Sequence, residues 1–210
     1  MDIIRVVPLC ILSFCLGACP FSLWIGKYLL KKDIRDYGDG NPGSFNVFRA
    51  GGRKTGVLAL FLEIGKGVPV VILAHSMFDY TGLSIAAVGI SAILGHAFSP
   101  LLKFRGGKSL AVTGGVILAL QLYHIFLVLL ILVFLGFLFI KIDAWTIIFG
   151  ATGTLIYTIT TSGYAWETFF MLCVLIILAI KHINDLHTFP VFEVRVMSYM
   201  QTRRNKDRSL

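Results

Sequence analysis

The chain is short of charge. Only 14% of its 210 residues are Asp, Glu, Lys or Arg, and just 11 are acidic. A soluble domain carries about 25% charged residues, so a body wetted on all sides is excluded. Cysteine is scarce too. Cys10, Cys15, Cys19 and Cys173 all sit inside apolar runs, with no metal-ligand spacing. That argues against a disulfide framework and gives no reason to expect a metal. No internal repeat or low-complexity tract is visible. A nucleotide-binding P-loop is missing as well: before "GGKS" Leu102 stands where the first glycine is needed, and an apolar stretch replaces the strand.

What is present is apolar. The chain is 57% hydrophobic with mean hydropathy +0.83, which reads as an integral membrane protein. At about 20 residues per helix, an all-α polytopic bundle of seven spans is expected, over roughly 3–28, 55–77, 82–102, 109–122, 124–140, 145–163 and 166–182. The fourth is short, and its border with the fifth is only "QLYH". Residues 1–19 have signal-peptide character, but the apolar run continues through "PFSLWIGKYLL", which favours a first span. One membrane-embedded domain is expected over 1–193, with a basic tail over 194–210.

The net charge of +8 would suggest nucleic acid in a soluble protein. Here its placement speaks for a lipid bilayer and no nucleic acid. All of the 19 Lys and Arg except Arg5 and Lys66 fall at the first, third and fifth loops or around the C-terminal end. The second, fourth and sixth loops have none. Cytoplasmic loops collect Lys and Arg, so those loops and the C-terminus are expected in the cytoplasm.

Two of the cytoplasmic loops carry chemistry. "YGDGNPGSFNVFRAGGRKTG", Tyr37 to Gly56, holds six glycines, Asn41, Asn46 and Arg49. Glycines such as Gly40 and Gly43 expose backbone N–H groups that can form an anion-binding concavity, and an arginine fork suits phosphate. In the third loop Gly106, Gly107 and Lys108 precede a helix, where free N–H groups and the dipole favour an anion. His96 lies within the third span, and Glu63 and Lys66 within the second. Ionisable groups at membrane depth are functional candidates, and the second span is expected to line a polar cavity; a packing hydrogen bond for His96 and a structural ion pair across a kink for "EIGKGVPV" are the plainer alternatives. His182, Asn184, Asp185, His187 and Glu193 gather where the last span ends. For Asp185 and His187 an interfacial polar cap is the simpler reading.

Together these segments resemble the bacterial acyl-phosphate-dependent glycerol-3-phosphate acyltransferases, over nearly the whole chain. In "GDGNPGSFNVFR", Gly40, Asn41, Gly43, Asn46 and Arg49 match the first family motif, while Asp39 stands where the family has serine and Phe45 where it has threonine. Gly95, His96, Phe98, Phe104, Gly106, Gly107 and Lys108 match the second, with Arg105 for lysine and departures at Ser109 and Leu110. The third, His-x-x-Asn-Ile-x-Arg then Gly-x-Glu, is eroded. His182 fits, a one-residue deletion aligns Asn184 and Glu193, and His187 and Val191 replace the arginine and glycine. No histidine here has an aspartate five residues later, so the His-x₄-Asp relay of other glycerolipid acyltransferases is absent.

The resemblance implies acyl transfer from acyl-phosphate to the sn-1 hydroxyl of glycerol 3-phosphate at the cytoplasmic face of a bacterial inner membrane, without cofactor or metal. It implies His96 and His182 as catalytic candidates. Asp39, Gly40, Asn41, Gly43, Asn46, Arg49, Gly106, Gly107, Lys108 and Asn184 would bind substrate, supported by Glu63, Lys66 and Glu193. A small anion transporter and an inactive paralogue are the competing readings.

Overall fold

The computed structural model describes residues 3–163 and 165–192, with side chains from Val6 onward; Glu193 and the basic tail lie outside them. Among the described residues the fold is all-helical, with one isolated β-bridge, Ile140 to Phe192. The helices are α1 (Ile3–Ala18), α2 (Phe21–Ile25), α3 (Ser44–Gly51), α4 (Arg53–Gly65), α5 (Pro69–Phe78), α6 (Gly82–Ala97), α7 (Leu110–Ala119), α8 (Tyr123–Phe139), α9 (Asp143–Ser162) and α10 (Trp166–His182). All seven expected spans coincide with helical segments, two of them broken. The short α3 lies inside the first glycine-rich loop.

Among the described residues, three stretches are long and apolar enough to cross a membrane: Val6–Leu30, Arg53–Phe78 and Gly82–Leu102. Large apolar side chains point outward along the bundle, among them Ile11, Phe61, Leu130, Phe134 and Ile156. Water would penalise such a belt, whereas lipid accepts it. Helix α6 is the central post. Its Ile85, Val88, Ala92 and Ile93 are buried, and it packs on α1, α5, α7 and α10. The α1–α6 approach needs glycine, because a Cβ on Gly95 would run into the Phe14 carbonyl. Small residues let backbones close where apolar lipid supplies no hydrophobic drive between helices.

Two helical breaks face each other inside the bundle. The first lies between α1 and α2 at Cys19–Pro20, the second between α4 and α5, where Pro69 starts the new helix. One ion pair stitches both. Lys66 Nζ meets Glu63 Oε2 at 2.6 Å and donates to the freed Cys19 carbonyl at 2.9 Å. Glu63 Oε1 accepts from the Ser22 N–H at 3.2 Å and the Ser22 hydroxyl at 2.7 Å. Broken backbone at membrane depth is tolerated where protein satisfies it in this way.

The fourth element differs from a simple span. Helix α7 has ten residues, about 15 Å long, roughly half the hydrocarbon thickness. The chain before it makes up length by running inward along α6. The Gly107 N–H donates to the His96 carbonyl at 3.1 Å, and the Ser109 hydroxyl reaches the Ile93 carbonyl at 3.5 Å. The third loop therefore dips into the bundle as extended backbone, and its helix starts at Leu110, two residues after Lys108.

Candidate functional site

The first loop, the third loop and the end of α10 meet at one end of the bundle. The fifth loop joins them there: the Lys141 N–H donates to the Val191 carbonyl at 2.9 Å, and Trp145 Nε1 donates to the Thr188 carbonyl at 2.6 Å. The alternation of charged and uncharged loops is thus a division between two ends of the molecule.

The first loop is organised around Asn46, which is buried. Its Nδ2 donates to Asp39 Oδ1 at 3.0 Å and to the Asn41 carbonyl at 2.9 Å. Its Oδ1 accepts from Arg49 Nη1 at 3.1 Å. Gly38 and Gly40 adopt left-handed backbone, φ 60° and 70°, and a Cβ on Gly38 would strike the Arg49 guanidinium. The glycines therefore let the loop fold tightly over its own arginine. The N–H groups of Gly40, Asn41 and Gly43 are all spent inside the loop, on the Tyr37 carbonyl, Asp39 Oδ1 and the Asn41 carbonyl. The expected cradle of free N–H groups is closed here, and so is the Gly107 N–H of the third loop. Side-chain charge faces the cleft instead.

That cleft has a volume of about 300 Å³ and is lined by Asp39–Pro42 from the first loop, Phe104, Arg105, Gly106 and Lys108 from the third, and Lys181 from α10. Lys108 is its focus. Its Nζ lies 2.6 Å from Asp185 Oδ2 and 2.9 Å from Asp39 Oδ2. Partial burial would lower the Lys108 pKa, but the hydrogen bonds and charges of Asp185 and Asp39 carry it above its ordinary value. Burial would likewise raise Asp39. The Lys108 ammonium, with the Asn41 N–H and Asn46 amide, holds its carboxyl below the usual range. The third loop reaches this position through left-handed Lys103, Phe104 and Ser109, a concentration of backbone strain of the kind kept where function needs it.

His182 ends α10 one residue after Lys181 and lies behind the residues that line the cleft. It is buried, with Nδ1 2.8 Å from the Leu178 carbonyl and Nε2 without a hydrogen-bond partner among the described residues. Its carbonyl accepts the Asp185 N–H at 2.9 Å, which ties the end of α10 to the Lys108 pair.

The other sequence candidates are placed as follows. His96 turns away from the cleft. Its Nδ1 lies 3.2 Å from Glu63 Oε2, and its ring packs beneath Gly107, where a Cβ would collide with it. Glu63 and Lys66 belong to the same buried network, so the second span holds a structural ion pair and not the polar cavity expected of it. Arg49 braces Asn46 from behind and does not line the cleft. Asn184 is exposed, outside the cleft, and the residue beside Lys108 is Asp185. Three residues on from His182, Asp185 returns to the histidine's face of the turn, whereas a residue two on does not. The sequence suggested an interfacial cap for Asp185 and a flanking cation for Lys181, and it put Arg105 at a motif position without a substrate-binding role. The i+3 spacing from His182 was the available signal for Asp185.

Comparison with known proteins agrees with this architecture. The family model described as "Glycerol-3-phosphate acyltransferase" matches residues 7–189. A glycerol-3-phosphate acyltransferase of Lactococcus lactis subsp. lactis (strain IL1403) is 34% identical over 190 residues, 87% of this chain and 89% of its own. One from Streptococcus pyogenes serotype M5 (strain Manfredo) is 31% identical over 182 residues, 83% of this chain and 85% of its own. Among solved structures, PlsY (YgiH), an integral membrane glycerol 3-phosphate acyltransferase, superposes in its glycerol 3-phosphate form with a TM-score of 0.78 at 26% identity, covering 87% of this chain and 90% of that one. Its lysophosphatidic acid form gives 0.76. With two broken helices, a lipid-facing apolar surface and a match over almost its whole described length, this integral membrane chain belongs to the glycerol-3-phosphate acyltransferase family.

Proposed function

We propose that this protein transfers a fatty acyl group from acyl-phosphate to the sn-1 hydroxyl of glycerol 3-phosphate, releasing lysophosphatidic acid and inorganic phosphate. The observation that carries the reading is the cleft itself. It gathers Arg105, Lys108 and Lys181 at one end of a lipid-embedded bundle, next in sequence to the buried His182, whose Nε2 has no hydrogen-bond partner among the described residues, in a chain whose relatives are named for this acceptor. Both substrates would bring a phosphate to these cations.

An acyl-phosphate is already activated, so positioning and charge stabilisation supply most of what catalysis needs. His182 is the better-placed base of the two histidines. A carbonyl can only accept, so Nδ1–H donates to Leu178, and the neutral ring presents Nε2 as a lone pair. The acceptor's hydroxyl proton passes to Nε2. Its oxygen bonds to the acyl carbonyl carbon as the carbon–oxygen bond to phosphate breaks, and phosphate leaves with the electron pair. Lys108, Arg105 and Lys181 stabilise the departing charge. Arg49 positions Asp39 through Asn46. The acyl chain would lie in an apolar groove open to lipid. The basic residues at the cleft end support an orientation with the cleft and C-terminus in the cytoplasm, in a reading of seven crossings of a bacterial inner membrane.

The deciding experiment is acyl transfer by the purified protein in detergent. Palmitoyl-phosphate and glycerol 3-phosphate are supplied, and phosphate and lysophosphatidic acid are followed, with acyl-CoA and acyl carrier protein as parallel donors. Product with acyl-phosphate alone is the expected result. Product from the other donors would sink the donor assignment. No product from folded protein would favour an inactive paralogue.

A further inference from the structure

Lys108 is the obvious phosphate anchor, yet it is not free. Two carboxylate oxygens already occupy its ammonium, Asp185 Oδ2 at 2.6 Å and Asp39 Oδ2 at 2.9 Å. Asp39 cannot easily swing aside. Its Oδ1 is fixed from behind by the Asn41 N–H and by the buried Asn46 amide, itself held by Arg49. Its backbone sits between two left-handed glycines. Asp185 is placed by the turn that ends α10, with its N–H donating to the His182 carbonyl at 2.9 Å.

An anion that reaches Lys108 therefore meets two carboxylates. A bare phosphate would take the ammonium and leave both carboxylates unpaired beside a further negative charge, and such like-charge contacts are costly. A third group sharpens the picture. His182 Nε2, buried and unpartnered, is also an acceptor in the neutral ring. Of the cleft's cations, Lys108 is thus the one already held by two carboxylates, and hydroxyl groups on the anion's own carbons are what satisfies those carboxylates once a phosphate takes the ammonium.

We infer that Asp39 and Asp185 are specificity-determining residues, a carboxylate clamp on Lys108 that makes the cleft select a polyol monophosphate over a bare phosphate or an alkyl phosphate. The ligand's phosphate takes Lys108 with help from Arg105 and Lys181, and its vicinal hydroxyls donate to the released carboxylates and to His182. The inference rests on the acyl-acceptor reading of the cleft. It adds that the clamp keeps the phosphate released by the reaction from holding the acceptor's place.

The test is equilibrium binding to the full-length protein in detergent, by calorimetry, with glycerol 3-phosphate, n-propyl phosphate and inorganic phosphate. The parent protein is expected to bind glycerol 3-phosphate at least about tenfold more tightly than either of the others, the size of one hydrogen bond to a charged group. In Asp39→Asn, Asp185→Asn and the double variant, the two hydroxyl-free ligands should gain affinity and the ratio should shrink towards one. Equal binding of the three ligands by the parent protein overturns the inference, and that comparison needs no variant to fold. So does a parallel loss of affinity for all three in the Asn variants, which would mean a merely structural clamp. Acyl transfer is measured separately. Selective binding without transfer defeats the acyltransferase reading and leaves the clamp standing. Transfer with unselective binding defeats the clamp alone.

Discussion

Glu63 meets Lys66 at 2.6 Å, and Asp185 meets Lys108 at the same distance. The side chains of the first pair are each 1% exposed, those of the second 45% and 23%. Each cluster also has a histidine: His96 Nδ1 against Glu63, and His182, whose carbonyl holds the Asp185 N–H. The residue types are alike and the settings opposite. In the buried cluster the donors and acceptors come from the protein, including a backbone carbonyl freed by a helix break. In the cleft cluster the ammonium carries two carboxylates and the histidine nitrogen carries nothing. A closed network of this kind fixes two broken helices. An open one with mismatched partners is where a ligand can complete the set.

The comparison can be broken at either end. The largest effect is expected from Lys66→Met, which leaves a buried carboxylate without its ammonium; it should cost about 3–5 kcal/mol, read as a lowered unfolding temperature in detergent. Adding Glu63→Gln should recover part of the loss. If Lys66→Met melts with the parent, the buried network is not holding the breaks. Next comes Lys108→Met. It should lower kcat/KM by about 10²–10³, the scale of removing a group that stabilises developing charge, while the melting temperature stays near the parent's. A matching loss of stability would place Lys108 with the structural cluster. Arg49→Ala follows. Without its brace, Asn46 no longer fixes Asp39, and turnover should fall about 10–100-fold through misplacement, in protein still folded in detergent. Near-normal turnover would remove Arg49 from the site.

The smallest effect is on pH. The folded state depresses the Asp39 pKa, so its stabilisation is complete above the ordinary carboxylate value of 3.8 and is lost as pH falls through the lower folded value. Lys108 is raised, so its share is complete below 10.5 and is lost as pH rises through the higher folded value. Between these limits the clamp's contribution is flat. Partly exposed pairs contribute under about 1 kcal/mol, so the acid limb of a melting-temperature profile should differ only slightly between the parent and Asp39→Asn. A large difference there would show that the clamp is structural after all.

The positions of the helices were legible in the sequence because lipid leaves so few choices. Apolar runs of about 20 residues must be helices, and the distribution of Lys and Arg sorted the loops into two ends. The glycine-rich loops were legible as well, since glycine, asparagine and arginine at such spacing have few structural uses. Which glycines free an N–H was not. Gly40, Gly43 and Gly107 spend theirs locally or on the His96 carbonyl, a matter of loop trajectory. His96, within a span, and His182, at the end of one, were both catalytic candidates. Only packing aims one at Glu63 and leaves the other's Nε2 unpaired.

The sequence by itself therefore determined a lipid-embedded helical bundle, its charged end and the two loops that supply the site. Composition and periodicity encode what each segment must avoid, and hydrocarbon enforces that on every residue. The tertiary structure alone decided the partners: Asp185 rather than Asn184 on Lys108, Lys66 across to Cys19, and the third loop folded inward along α6. These contacts join residues tens of positions apart. They depend on ångström-scale fits between helices, which no local pattern of residues records.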